Sequence, residues 1–271
     1  MAKAISTKGV TGGVIGTIMA IAGFAWTITL LLFIPELLNY SSTLSYVWAH
    51  MLFTYTGYAG IIATLIIPYP STINLFTISS VTLAILVVVF GTMIGFGFRD
   101  LYSKSRSSVG WGYLAASILG TLVAGILIAM GGLLQTTIIQ AFQYLPGLGA
   151  DFIPLRFPAT SYTWTGEIVL GATLIILGVA SILIRKSVER RDSALAAGVL
   201  SIIGGIILTL HISVLIPFAG QVSIAPGGFS IIPTLITAYV FFINFTIIGF
   251  GLLLVVSILW TRVFLKPSTS K

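Results

Sequence analysis

The chain reads as an all-α, polytopic transmembrane bundle of six or seven spans, and three observations predict it. Hydrophobic residues make up 57% of the 271 residues and charged residues only 7%, against about 25% charged in soluble domains. A surface that poor in charge is stable only against lipid. Residues 107–150 and 193–261 contain no charge, and Glu36 is the only charged residue between Lys8 and Arg99. A helix needs about 20 apolar residues to cross a bilayer. The whole chain, 1–271, reads as one integral membrane domain.

The spans fall at 10–34, 76–98, 111–134, 165–184, 194–216 and 234–261, with 46–67 as an uncertain further crossing. Lys3 and Lys8 followed by an apolar stretch and Ala20-Ile21-Ala22 imitate a cleavable leader. The apolar run continues unbroken to Pro35, so it reads as an uncleaved first helix. Basic residues gather in four clusters: Lys3/Lys8, Arg99/Lys104/Arg106, Arg185/Lys186/Arg190/Arg191 and Arg262/Lys266/Lys271. Six spans with both termini cytoplasmic put all four inside, leaving only Arg156 of 13 basic residues outside. A seventh span at 46–67 would move the N-terminus outside. In the six-span topology that segment is re-entrant or interfacial, which its Tyr46, Trp48, Tyr55, Tyr58 and Tyr69 permit. The outer segments, 35–75, 135–164 and 217–233, hold most of the prolines and the sequon at Asn39.

Leu114-Ala115-Ala116-Ser117-Ile118-Leu119 resembles Leu195-Ala196-Ala197-Gly198-Val199-Leu200. Each copy follows a turn on the basic side and opens a helix leading away from it, so the chain reads as tandem hairpins. Small residues recur every fourth position in both copies, at Ala116/Gly120/Ala124 and Ala197/Ser201/Gly205, and in the first helix at Gly12/Gly16/Ala20. Such stripes let helices approach closely in lipid. They fit a general packing face, or three equivalent helices around a shared axis.

The search for chemistry is largely negative. With no cysteine, disulfides, thiolate metal sites and cysteine nucleophiles are excluded. No His-Glu-x-x-His, no phosphate-binding Gly-x-x-x-x-Gly-Lys loop and no lysine within a span occurs. No catalytic, cofactor-binding or metal residue is therefore assigned, and the chain is not expected to be an enzyme. Glu36, Asp151 and Glu167 read as residues near helix ends, leaving no ionisable side chain at mid-membrane. Asn244 lies within a span and is suited to hydrogen-bond a neighbouring helix. Gln135, Gln140 and Gln143 read as a solvated or partner-binding loop. His50 and His211 fall near one membrane face and could hold a haem b between them.

Two functional classes fit. One is a channel or platform subunit of a translocation apparatus driven by a separate ATPase. The other is the membrane anchor of a respiratory complex, with or without haem on His50 and His211. A solitary small-molecule transporter fits less well. In length, span number, Gly-, Ser- and Thr-rich composition and short basic loops such as Arg185-Lys186-Ser187-Val188-Glu189-Arg190-Arg191, the chain resembles the polytopic membrane subunit of the Ced system, an archaeal apparatus that imports DNA between cells. That resemblance implies small two-span membrane partners, a separate motor ATPase of the HerA type, residence in the cell membrane and DNA as cargo. It carries over no functional residue.

Overall fold

A computed structural model describes residues 6–27, 70–104, 108–144, 153–212 and 231–265. These residues form six helices: α1 (Thr7–Thr27), α2 (Pro70–Lys104), α3 (Val109–Tyr144), α4 (Ile153–Ile184), α5 (Arg191–Thr209) and α6 (Ile231–Phe264). All six are long and apolar enough to cross a membrane, and there is no strand among the described residues. The distribution of side chains is that of a lipid-facing bundle. Large aliphatic residues such as Ile78, Ile85, Leu119 and Leu183 are exposed, while Ser80, Ser117, Thr121, Ser181, Ser201 and Ser257 are buried. Without a hydrophobic drive between helices, close backbone approach and interhelical hydrogen bonds take over as the cohesive forces. The chain is a multi-pass membrane protein.

Three of the four prolines in the described helices sit in a first turn, Pro158 at the sixth position of Ile153–Ile184 being the exception. Pro70 opens α2, Pro154 is the second residue of α4 and Pro233 the third of α6, positions whose N–H has no intrahelical partner. Residues read from sequence as outer loop therefore belong to helices, and α4 begins twelve residues before the expected span. Ser6 caps α1: its Oγ accepts from Gly9 N at 3.1 Å and donates to Asp100 Oδ2 at 2.9 Å. The start of α1 is thus tied to the end of α2. At the other end of the pair, Trp26 Nε1 donates to Ser80 Oγ at 2.9 Å. The two helices are antiparallel, so α1 ends and α2 begins at the same face. The segment 46–67, the seventh span of the alternative topology, lies outside the described residues.

Three antiparallel hairpins, α1–α2, α3–α4 and α5–α6, follow one another. The first helix of each is wedged between its own partner and the second helix of another hairpin. Accordingly α3 lies against α2 and α4, α5 against α4 and α6, and α1 against α2 and α6. The second helices meet directly. Phe90 and Phe98 of α2 pack on Trp260 of α6, with ring centroids 6.1 and 5.8 Å apart. Trp260 Nε1 donates to Ser181 Oγ of α4 at 3.3 Å, and Tyr102 Oη of α2 donates to the Ala180 carbonyl of α4 at 3.0 Å. The helices that meet are those in second position, whereas the sequence stripes mark the wedged ones.

The same close contact recurs at each wedge. A Cβ on Gly13 would lie 2.9 Å from the Ser257 carbonyl oxygen, and one on Gly198 would lie 2.7 Å from that of Gly178. At the matching place in α3, Ser117 Oγ donates to the Gly91 carbonyl at 2.6 Å. The expected stripes are used unevenly. Ala197, Ser201 and Gly205 face α4, with Ser201 Oγ bonded to the Leu174 carbonyl at 2.7 Å. In α3, Gly120 and Ala124 also face α4, and it is the next row, Ser117/Thr121/Gly125, that faces α2.

Candidate functional site

One end of the bundle is basic. Lys8 lies over the Phe96 ring at 4.4 Å and Arg99 over the Trp111 ring at 3.9 Å, pairs worth about 0.5–1 kcal/mol each at exposed sites. Trp111 is 59% exposed, as an aromatic anchor at a membrane–water boundary would be. The turn joining α4 to α5 presents Arg185, Lys186 and Arg191 outward and holds its shape by burying Val188. Arg262 lies in the last turn of α6 at the same end.

Toward the opposite end a polar cluster is sealed inside the bundle. Glu167 of α4 is completely buried, His211 is 1% exposed and Thr246 of α6 is completely buried. His211 Nδ1 stands 3.4 Å from Glu167 Oε2, and Thr246 Oγ1 donates to the same oxygen at 2.9 Å. Glu167 Oε1 accepts no hydrogen bond from any described residue. Three elements build the cluster. α4 supplies Glu167 from its fifteenth position, the turn after Thr209 supplies His211, and α6 supplies Thr246. Gly166 lets α3 close over the neighbouring face, since a Cβ there would lie 2.9 Å from the Ala124 carbonyl oxygen. The His211 ring also packs on Phe245, with centroids 5.7 Å apart.

This corrects the expectation that Glu167 sits near a helix end: it is the fifteenth residue of its helix and lies completely buried in the bundle. The sequence reading missed it because Pro154 and Pro158 nearby suggested a loop, which moved the helix start too close to Glu167. The available signal was the absence of any basic residue between Arg156 and Arg185, so that a helical Glu167 has no local counter-ion and must find a partner on another element.

The other singled-out residues are placed as follows. Asn244 is exposed on α6 and makes no hydrogen bond to a neighbouring described helix, contrary to expectation. Of the histidines proposed to share a haem b, His50 lies outside the described residues. His211 is enclosed, with Nδ1 directed at Glu167. Glu36 and Asp151 also lie outside the described residues, as do the side chains of Gln135, Gln140 and Gln143. No group of three or more potential metal ligands occurs among the described residues. No family model, curated protein or solved structure matches the chain.

Proposed function

We propose that the chain is the membrane-embedded platform subunit of an apparatus that moves a macromolecule across the cell membrane, with DNA the leading cargo and a separate ATPase as motor. The observation that carries this reading is the outer face of α6. Asn244, Ile248, Val255, Ile258 and Arg262 are exposed along it, and Gly251 stands half-buried between them, giving spacings of four, three, four, three and four. That is the period of a helix seam, with one amide in it. An asparagine left facing lipid is costly unless another helix supplies a hydrogen bond. An open apolar groove lined by Val14, Ile18 and Ile258 runs beside the stripe between α1 and α6. A helix of a small membrane partner suits both features.

Two further observations support a platform over a solitary carrier. The meeting point of α2, α4 and α6 is filled by Phe90, Phe98, Trp260 and Leu177, each 1% exposed or less. A passage for a polymer would therefore form between this chain and its partners. The exposed basic turn 185–191 offers a docking place for an acidic patch on a motor, and with the termini cytoplasmic it faces the compartment where ATP is found. The experiment is a mild-detergent purification of tagged wild-type and Asn244→Leu chains, with identification of what co-purifies, together with gene deletion. Co-purification of small membrane proteins that is lost in Asn244→Leu, and loss of DNA uptake with growth and respiration intact, are the expected results. A respiratory defect with normal DNA transfer would overturn the proposal.

A further inference from the structure

We propose that Glu167, His211 and Thr246 form a proton-binding site, reached from the face away from the basic clusters, whose occupancy sets how α4 is held by α6 and by the end of α5. A lone ionised carboxylate or imidazolium in a low-dielectric interior is strongly disfavoured, and a buried pair persists only when its charges compensate. With Glu167 and His211 both sealed from solvent and 3.4 Å apart, the compensated state is the one that holds a single proton between them. It is either carboxylate with imidazolium or carboxylic acid with imidazole. Removing that proton leaves an uncompensated carboxylate, and adding a second leaves an uncompensated imidazolium. The Thr246 hydroxyl, already donating to Oε2, steadies that oxygen in either form. Ionisable residues inside spans mark proton sites more often than structural ones.

Among the described side chains no other charge lies at this level. α4 carries Arg156 and Tyr162 as its other titratable residues on the outer half, the Arg156 side chain lying outside the described residues, and the described parts of α3, α5 and α6 carry no further titratable group at this level. Tyr113, Arg191, Asp192 and Arg262 all lie at the basic end.

The direction of access follows from the polarity on either side of the cluster. One turn outward on α4, Thr163 is buried with its Oγ1 unbonded to any described residue, and His211 lies beyond the last turn of α5. Inward, Leu170, Leu174, Leu177, Phe250 and Leu253 are each 1% exposed or less. This apolar layer separates the cluster from Ser181 and Trp260 below. Among the described residues the polar neighbours of the cluster lie on its outer side, so a proton reaches it from there and the arrangement is not a relay across the membrane.

The test uses the full chain in lipid nanodiscs, without cargo or partners, so its outcome is independent of the translocation proposal. Unfolding is followed across pH, and the protonated-carboxyl infrared band is recorded over the same range. The unfolded chain holds two protons on these groups below about pH 4.3, one between about pH 4.3 and about pH 6.5, and none above. A folded state holding one proton is therefore most stable in the middle window. On the alkaline side the unfolded state binds fewer protons, so stability falls as pH rises, by up to tenfold in the unfolding constant per pH unit. On the acid side the unfolded state binds more, so stability falls as pH drops. Glu167→Gln should fold and lose the alkaline arm, because the remaining imidazole is held neutral in the folded state. His211→Gln should fold with a neutral carboxyl, so its alkaline arm begins at about pH 4.3 instead of about pH 6.5. An alkaline arm retained in Glu167→Gln, or one still beginning at about pH 6.5 in His211→Gln, would overturn the proposal. Should either variant fail to fold, an isotope-edited infrared titration of the His50→Gln chain with labelled histidine decides: an imidazole transition displaced from that of the unfolded chain supports the proposal, and one that coincides with it overturns it.

Discussion

The seam between α4 and α5 and the seams that α1 makes with α2 and α6 all bring backbones close, but α1 adds a use of glycine that the α4–α5 seam lacks. Between α4 and α5 the backbones themselves touch. A Cβ on Gly178 would lie 2.7 Å from the Gly198 carbonyl oxygen, and Gly198 has the same relation to Gly178. Gly171 and Gly205 repeat the pairing two turns further along. Ser201 and Ser181 add hydrogen bonds to opposing carbonyls at 2.7 and 2.8 Å. Along α1, Gly12 and Gly13 meet backbone, with a Cβ 2.7 Å from Ile94 N and 2.9 Å from the Ser257 carbonyl oxygen, and a second row of glycines forms notches for rings. Gly9 receives Phe264, Gly16 receives Phe90 and Gly23 receives Phe250. Those glycines are spaced by seven, two turns of helix, so each notch opens on the same side. One seam gains cohesion from close main-chain approach, the other from that approach and from large buried surface. The lesson is that a glycine in a lipid-facing bundle is interpretable only through the atom it faces.

Substitutions distinguish the two. The largest effect is expected at Gly198→Leu. Besides the Ile182 side chain, the opposing atoms are the Gly178 carbonyl oxygen and the Ile182 amide nitrogen of a neighbouring helix, so the chain should lose folded yield, and shortening Ile182 alone should not restore it. Monodisperse wild-type-like protein on size exclusion would contradict the backbone-contact description. Gly9→Ala should cost about 1–3 kcal/mol by overpacking. Here the obstacle is a side chain, with a Cβ only 2.5 Å from the Phe264 ring, so Phe264→Leu should recover part of the loss. A double-mutant cycle measures the coupling, and strict additivity would remove the notch interpretation. The smallest effect is expected for Ser201→Ala, about 0.6 kcal/mol, as for typical interhelical hydrogen bonds in membranes. A denaturation midpoint shifted well beyond that would mean the hydroxyl, and not the approach of Gly178 to Gly198, governs the α4–α5 seam.

Much of the architecture was legible in the sequence because its cause is local. Six spans follow from apolar runs such as 107–150, and hairpins follow from basic turns recurring after every second span, since these properties depend on the solvent and not on neighbours. The Leu114–Leu119 and Leu195–Leu200 repeat pointed correctly to equivalent helices. Gly120 and Gly205 were recognisable as packing residues, but whether each meets a ring, a hydroxyl or a carbonyl depends on helix rotation, which composition does not encode. The partnership of Glu167 with His211 and Thr246 spans 44 and 79 positions in the chain, across three helices. Sequence alone determined that this chain lives in lipid, that it carries six helices able to cross and where its basic turns fall. Tertiary structure alone decided that a carboxylate drawn at a loop edge is sealed inside the bundle beside a histidine, because a buried charge is defined by what surrounds it in space.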